Sequence, residues 1–282
     1  MIVDFHTHTF PDALAARALE KLSSSSGTMP FLDGTSGSLS ASSKRLGIDY
    51  SVVLPVATNP LKCGHINEST LKENDFKNLI CFGAIHPDCP DWYEELNHIS
   101  SLGLPGIKLH PVYQGVDFDD LRYLRILYRA GELGLVVVTH AGDDIGFPGE
   151  VKCSPEMIAN ALKQVGEVKL VLAHMGGWEC WERVEELLPG FKVYLDTSFS
   201  TGVIPTRVDG RFKGRPLDLL SEEDFVRMVR LFGSKRILFG TDSPWSDRKK
   251  SIEWIRSTAL SDKEKEDIFF GNAIDLLGID PV

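Results

Sequence analysis

The chain has 282 residues, 43% of them hydrophobic, enough for one large α/β domain with a substantial core. Its formal net charge of −10 disfavours a sequence-independent nucleic-acid binder, which needs a basic face, and opposes adhesion to an anionic membrane. No apolar run approaches the roughly 20 residues of a membrane span, and Met1-Ile2-Val3-Asp4 enters a strand with no basic or apolar leader, so a cytoplasmic protein is expected.

In chain order, β-rich runs fall at 2–5, 51–54, 80–85, 106–109, 135–139, 169–173, 192–195 and 236–239, spaced widely enough to hold helices between them. Helical patterning is clearest at 118–131, 154–166, 221–232 and 262–277. Ser154 before Pro155, and Ser221 three residues before Asp224, read as helix starts. Alternation of this kind over a single domain at 1–282 predicts an α/β fold, a closed (β/α)8 TIM barrel, with an open doubly wound sheet as the competing topology. Segments 23–43, 143–152 and 198–216 read as loops that follow strand ends, which is the face where a barrel does its chemistry. The five cysteines (Cys63, Cys81, Cys89, Cys153 and Cys180) form no C-x-x-C pair and are odd in number, as expected of free thiols in a reducing compartment.

Six of the eight histidines close apolar runs: His6 and His8, then His86, His110, His140 and His174. The last run closes on Asp242. Imidazoles and a carboxylate at successive strand ends are what a barrel with a central metal needs. His6 and His8 lie two apart, so their side chains share one side and can bind one ion. His140 and His174 can each complete the metal site or act on the substrate. Asp242 can coordinate the metal and take a proton from its bound water; capping the next helix is its bland role, which Ser243 or Asp247 could fill instead. Period two places Lys108 and His110 on the lumen face and Ile107 and Leu109 against the helices. A lysine there must be paired or neutralised. It either carries a carbamate that bridges two metals, pairs with Asp4 on the same face, or binds a substrate carboxylate. His110, Asp196 and Ser198 are candidate substrate contacts; Asp196 and Ser198, on one face at a strand end, could instead orient a catalytic histidine or serve in capping and loop hydrogen bonds. Arg207, Arg211, Lys213 and Arg215 could meet an anionic substrate, although loop cations are usually solvated; His65 and His98 read as surface residues.

Together, Asp4-Phe5-His6-Thr7-His8, Gly106-Ile107-Lys108-Leu109-His110-Pro111, Thr139-His140-Ala141-Gly142, Ala173-His174-Met175-Gly176-Gly177, Leu195-Asp196-Thr197-Ser198 and Phe239-Gly240-Thr241-Asp242-Ser243-Pro244 resemble the amidohydrolase superfamily. The branch they look most like is the amidohydrolase-related group that includes aminocarboxymuconate-semialdehyde decarboxylase and resorcylate decarboxylase. The resemblance implies a distorted barrel that holds Zn2+ or a similar ion, Mn2+ included, through His6, His8, His140 and Asp242. In the decarboxylase-like branch the residue matching His174 is catalytic; in binuclear members it binds a second metal and a lysine matching Lys108 is carboxylated. One or two ions are therefore expected.

The leading expectation is a metal-dependent hydrolase in which metal-activated water attacks a small amide, cyclic amide, lactone or other ester, with Asp242 as the proton carrier. The alternative is non-oxidative decarboxylation of a small unsaturated or aromatic acid by the same metal and His174. A small-molecule substrate is expected, with neither nucleic acid nor membrane as partner and a homodimer as the default assembly.

Overall fold

The computed structural model describes residues 1–74, 77–217 and 219–279; the domain expected over 1–282 also contains 75, 76, 218 and 280–282, which lie outside the described residues. The strands are β1 (Val3–Thr7), β2 (Tyr50–Val53), β3 (Leu79–Cys81), β4 (Gly83–Ala84), β5 (Gly106–Leu109), β6 (Val136–Thr139), β7 (Lys169–Leu172), β8 (Val193–Asp196) and β9 (Ile237–Leu238). Every neighbouring pair is parallel. The run expected as one strand at 80–85 is interrupted at Phe82. Its N–H donates to Val53 O at 2.9 Å. The ladder consequently divides into β1-β2-β3 and β4 through β9.

The last strand returns to the first. Phe5 N donates to Phe239 O at 2.7 Å, Asp242 N to His6 O at 2.8 Å and His8 N to Ser243 O at 2.7 Å, and Thr7 bridges Ser243 in parallel. This is the TIM-barrel architecture. Its strands read as continuous apolar runs because both of their faces are covered. Val3, Phe5, Val52, Phe82, Val136, Val138, Val171 and Leu238 fill the interior. Ile107, Leu109, Val137, Leu170, Leu172 and Leu195 pack outward in a second core. Each such side chain, fully buried, contributes about 1.5–3 kcal/mol.

The helices are α1 (Asp12–Ser26), α2 (Ser36–Leu46), α3 (Cys63–Glu73), α4 (Trp92–Ser101), α5 (Pro111–Gln114), α6 (Leu121–Glu132), α7 (Pro155–Leu162), α8 (Trp181–Leu187), α9 (Glu222–Phe232), α10 (Arg248–Ser257), α11 (Asp262–Glu266) and α12 (Asn272–Leu277). Ser154 Oγ accepts from Met157 N at 3.3 Å and Ser221 Oγ from Asp224 N at 3.1 Å, so both serines cap helices. Asp120 caps α6, which therefore starts later than the pattern at 118–131 suggests. Two other expectations are corrected. Segment 23–43 is largely helical: α1 buries Ala15, Leu19 and Ser23 on one face and stops at left-handed Gly27, and Thr35 caps α2. The helix expected at 262–277 is interrupted by a π-helical turn, Asp267–Gly271, where the Asp267 carboxylate accepts from Ser234 Oγ at 2.9 Å and Lys235 Nζ at 3.0 Å. No helix among the described residues is long and apolar enough to cross a membrane.

Strand β1 carries a register shift between Asp4 and Thr7. Val3 and Phe5 enter the interior core, while Asp4 is turned outward onto Arg248 of α10, at 3.0 Å. Asp4 is thus not on the lumen face, and the pairing of Lys108 with Asp4 does not occur. An irregular strand of this kind defeats strict period-two reading.

Candidate active site

Strand ends bring His6, His8 and Asp242 together. His6 Nε2 and His8 Nε2 lie 3.2 Å apart; Asp242 Oδ1 is 3.3 Å from the first and 3.2 Å from the second. Asp242 is a non-glycine residue with φ of 59°, a conformation that turns its carboxylate back toward β1. Asp247 caps α10 by accepting from Lys249 N and Lys250 N, so Asp242 is not needed as a cap.

Hydrogen bonding fixes what these atoms present. His8 Nδ1 donates to Leu54 O at 2.7 Å and His6 Nδ1 donates to Asp196 Oδ2 at 2.8 Å. In the neutral rings both Nε2 atoms are therefore lone pairs. Two lone pairs and a carboxylate oxygen converge on one point, an arrangement that calls for a cation. Donors held about 2.0–2.2 Å from a common tetrahedral ion lie roughly 3.3–3.6 Å apart, so the triangle has a suitable edge. The rings of His6 and His8 cross at 75°, which lets both ring planes contain a shared ion. A divalent metal fits these residues.

A second cluster, His110, His140 and Asp144, has ligand atoms within 4.8 Å of one another. It does not fit a metal. His110 and His140 are stacked at 4.3 Å and 9°; an imidazole holds an ion in its own plane, and parallel planes share no point. His140 faces His174 instead, Nδ1 to Nε2 at 3.0 Å. The outer nitrogen of each donates to a backbone carbonyl: His140 Nε2 to Asp143 O at 3.1 Å and His174 Nδ1 to Ser198 O at 3.0 Å. Two lone pairs thus confront each other, a site that takes up a shared proton once negative charge arrives beside it. His110 also stacks on Tyr113 at 3.8 Å, and the Phe147 ring lies tilted at 58° to Tyr113 with centroids 5.4 Å apart.

Asp196 and Ser198 lie behind the histidines. Asp196 Oδ1 accepts from His174 N at 3.2 Å and Ser198 N at 3.0 Å, and Ser198 Oγ also donates to it. Both residues therefore orient His6 and His174. Lys108 Nζ lies 3.3 Å from His6 Nε2, at the edge of the triangle. Trp181 Nε1 donates to His174 O at 3.0 Å, steadying a residue whose φ is 60°.

Burial governs the charges. It pushes His6 down to about 4, helped by Lys108 and opposed by Asp196, and it pushes Lys108 down to about 8. Burial also holds His110 and His140 well below the usual histidine range, and His174 below it. It lifts Asp144 up to about 6. For Asp242 and Asp196 burial acts upward, but the histidines beside them prevail, His8 and His6 foremost, and both carboxyls lie below the usual range.

Of the expected site residues, the structure groups His6, His8 and Asp242 in the triangle, with Lys108 at its edge. It places His140 and His110 in the second cluster and joins His174 to His140. Asp144 and Tyr113 were not singled out in the sequence. Their signals were an acid four residues after His140 and an aromatic three after His110, both common in ordinary loops. Of the loop cations, Arg207 is engaged by Asp209 at 2.9 Å and Glu20 at 3.3 Å, and Arg211 donates to Ile145 O. His65 and His98 are exposed.

The amidohydrolase family model matches residues 79–279. This chain belongs to the amidohydrolase family. The amidohydrolase is 29% identical over 231 residues to the 2-amino-3-carboxymuconate-6-semialdehyde decarboxylase of Dictyostelium discoideum, and the match covers 73% of this chain and 62% of that protein's length. Its fold is that of 5-carboxyvanillate decarboxylase from Sphingomonas paucimobilis (TM-score 0.68, 13% identity, 99% of both chains covered). It is likewise that of the dihydroxybenzoic acid decarboxylase from Polaromonas sp. JS666, solved with manganese and 2-nitroresorcinol (TM-score 0.69, 14% identity, 100% of this chain and 98% of that one). These findings overturn the expectation of a hydrolase for amides, lactones or esters: the relative matched in sequence and both of these solved structures are decarboxylases.

Proposed function

We propose that this chain is a metal-dependent, non-oxidative decarboxylase of a small unsaturated or aromatic carboxylic acid. The observation that carries this reading is the sequence similarity to the Dictyostelium decarboxylase. The site supplies a residue for each requirement of that chemistry.

His6, His8 and Asp242 would hold a divalent ion, Zn2+ or Mn2+, which when bound supplies positive charge to the oxygen atoms of the substrate. Lys108, buried beside the triangle, is the protein cation that meets the carboxylate. The rings of His110, Tyr113 and Phe147 offer a planar substrate an aromatic surface. In the reaction the bond from carbon to the carboxylate breaks and its electron pair stays on that carbon, which takes up a proton as carbon dioxide leaves. His174 delivers that proton from Nε2. Its Nδ1–H is committed to Ser198 O, so the transferable proton is the one shared with His140 Nδ1. The substrate's negative charge, arriving beside these rings, favours their protonated form. Solvent then restores the proton.

The test is turnover of a panel of unsaturated and aromatic carboxylates by metal-loaded protein in D2O. Release of carbon dioxide, with one deuterium at the vacated carbon, is expected. His174→Gln should lower the rate by about 10²–10⁴ while the bound metal is retained. Turnover of esters or amides, with no acid on the panel losing carbon dioxide, would overturn the reading.

A further inference from the structure

The carboxylate of Asp242 depends on a turn that its own side chain does not stabilise. Asp242 and its neighbours form the connection from β9 to α10, and the left-handed conformation at Asp242 is one that side-chain-bearing residues rarely adopt. Several bonds pin this turn. Thr197 Oγ1 accepts from Gly240 N at 3.0 Å and donates to Gly240 O at 2.9 Å. Asp242 N donates to His6 O at 2.8 Å. At the residue between them, Asp4 accepts twice: from Thr241 N at 3.0 Å by Oδ1 and from Thr241 Oγ1 at 2.7 Å by Oδ2. Thr241 Oγ1 in turn accepts from Ser243 N at 3.2 Å, which secures the far side of Asp242.

Asp4 is itself anchored. It is fully buried outside the barrel and accepts from Arg248 Nε at 3.0 Å. The Arg248 guanidinium also donates to Ser43 Oγ of α2 at 3.0 Å and Ser51 Oγ of β2 at 2.9 Å. One continuous set of bonds therefore runs from α2 and β2 through Arg248 and Asp4 to the residue preceding Asp242. A buried ion pair of this kind contributes little net stability against an apolar replacement, and fixing one conformation is its better-attested use.

We propose that Asp4, acting through Thr241, is a positioning residue that sets metal affinity by holding the Asp242 carboxylate against His6 and His8. Asp4 touches neither metal nor substrate. The inference rests on the metal reading of the site given above, and it predicts binding rather than turnover. Replacing partners that orient metal ligands weakens affinity by about 10–100-fold, and that is the range expected here.

The experiment titrates Mn2+ and Zn2+ into chelator-treated protein by calorimetry, with thermal unfolding of each metal-free variant alongside. Thr241→Val removes the hydroxyl at nearly constant volume and should weaken binding by about 10–100-fold, whereas Thr241→Ser keeps the hydroxyl and should bind within about threefold of the parent. Asp4→Asn reads the same contact from the other side and serves if Thr241→Val does not fold. Folded variants of lowered melting temperature with unchanged metal affinity would overturn the proposal, reducing Asp4 to a structural role. Parent protein that binds neither ion would instead overturn the metal reading itself, and this inference with it.

Discussion

His6 and Asp196 meet at 2.8 Å with both side chains buried, and the bond decides what His6 shows to the pocket. A carboxylate can only accept, so Nδ1 carries the hydrogen and Nε2 is left as a lone pair facing His8 and Asp242.

Asp196→Asn tests that assignment. The amide can present its NH2 group where the carboxylate oxygen was, which favours the opposite His6 tautomer. Metal affinity should fall by about 10–100-fold, with the His6 tautomer, read from imidazole 15N shifts, changing in step. Unaltered affinity and shifts would mean that Asp196 does not set the ring.

A single ion is expected per chain. The His6–His8–Asp242 triangle suits one, while the parallel rings of His110 and His140 offer no shared in-plane position for a second. Elemental analysis of protein purified without chelator should give about one equivalent. The same value is expected for Lys108→Ala. Two equivalents, falling to one on loss of Lys108, would instead establish a lysine-bridged pair of metals.

Metal-free protein should lose stability as the medium is acidified. Burial lowers His6 from 6.5 to about 4 and also lowers His110, His140 and His174. Each folded-state value lies below that of the unfolded chain, so the unfolded chain binds more protons. The stabilisation from neutral burial is present in full above the unfolded value and is lost as pH falls through the folded values. Asp144, raised to about 6, acts in the opposite sense, its contribution present at low pH and lost as pH rises through that value; it offsets part of the effect. Melting temperatures in chelator should drop from about pH 7 to about pH 5. A flat profile over that interval would contradict the burial of neutral rings.

Gly142→Ala should be strongly destabilising. Gly142 has φ of 84°, and an added Cβ would lie 2.3 Å from both Trp178 N and Trp178 O, backbone atoms with no freedom to withdraw. The expected loss is about 2–4 kcal/mol in a denaturant titration. Because His140 lies two residues earlier, the surviving folded protein should also show an altered His140 environment. A loss under about 0.5 kcal/mol would place this strand end elsewhere.

The sequence by itself determined that short apolar runs alternate with amphipathic stretches and that six histidines and Asp242 stand at or near their ends. Both are local properties: strand propensity and polarity are written residue by residue, and parallel barrel strands advertise themselves by being apolar on both faces. Capping residues such as Ser154 and Ser221 were readable for the same reason. Tertiary structure alone decided the rest. The shift within β1 sends Asp4 to Arg248 rather than to Lys108, because period two holds only while a strand stays regular. Segment 23–43 is mostly helix, since the packing of α1 and α2 outweighs a serine-rich composition that only weakly disfavours helix. His140 faces His174, a residue distant in the chain, while Asp143 and Asp144, close in sequence, reach its ring only through the conformation of their loop, and neither arrangement can be read from spacing. Hydrolysis and decarboxylation call on the same ligand types at the same strand ends. Their difference lies in which group faces the substrate carbon, which is fixed by the packing of loops and not by any motif.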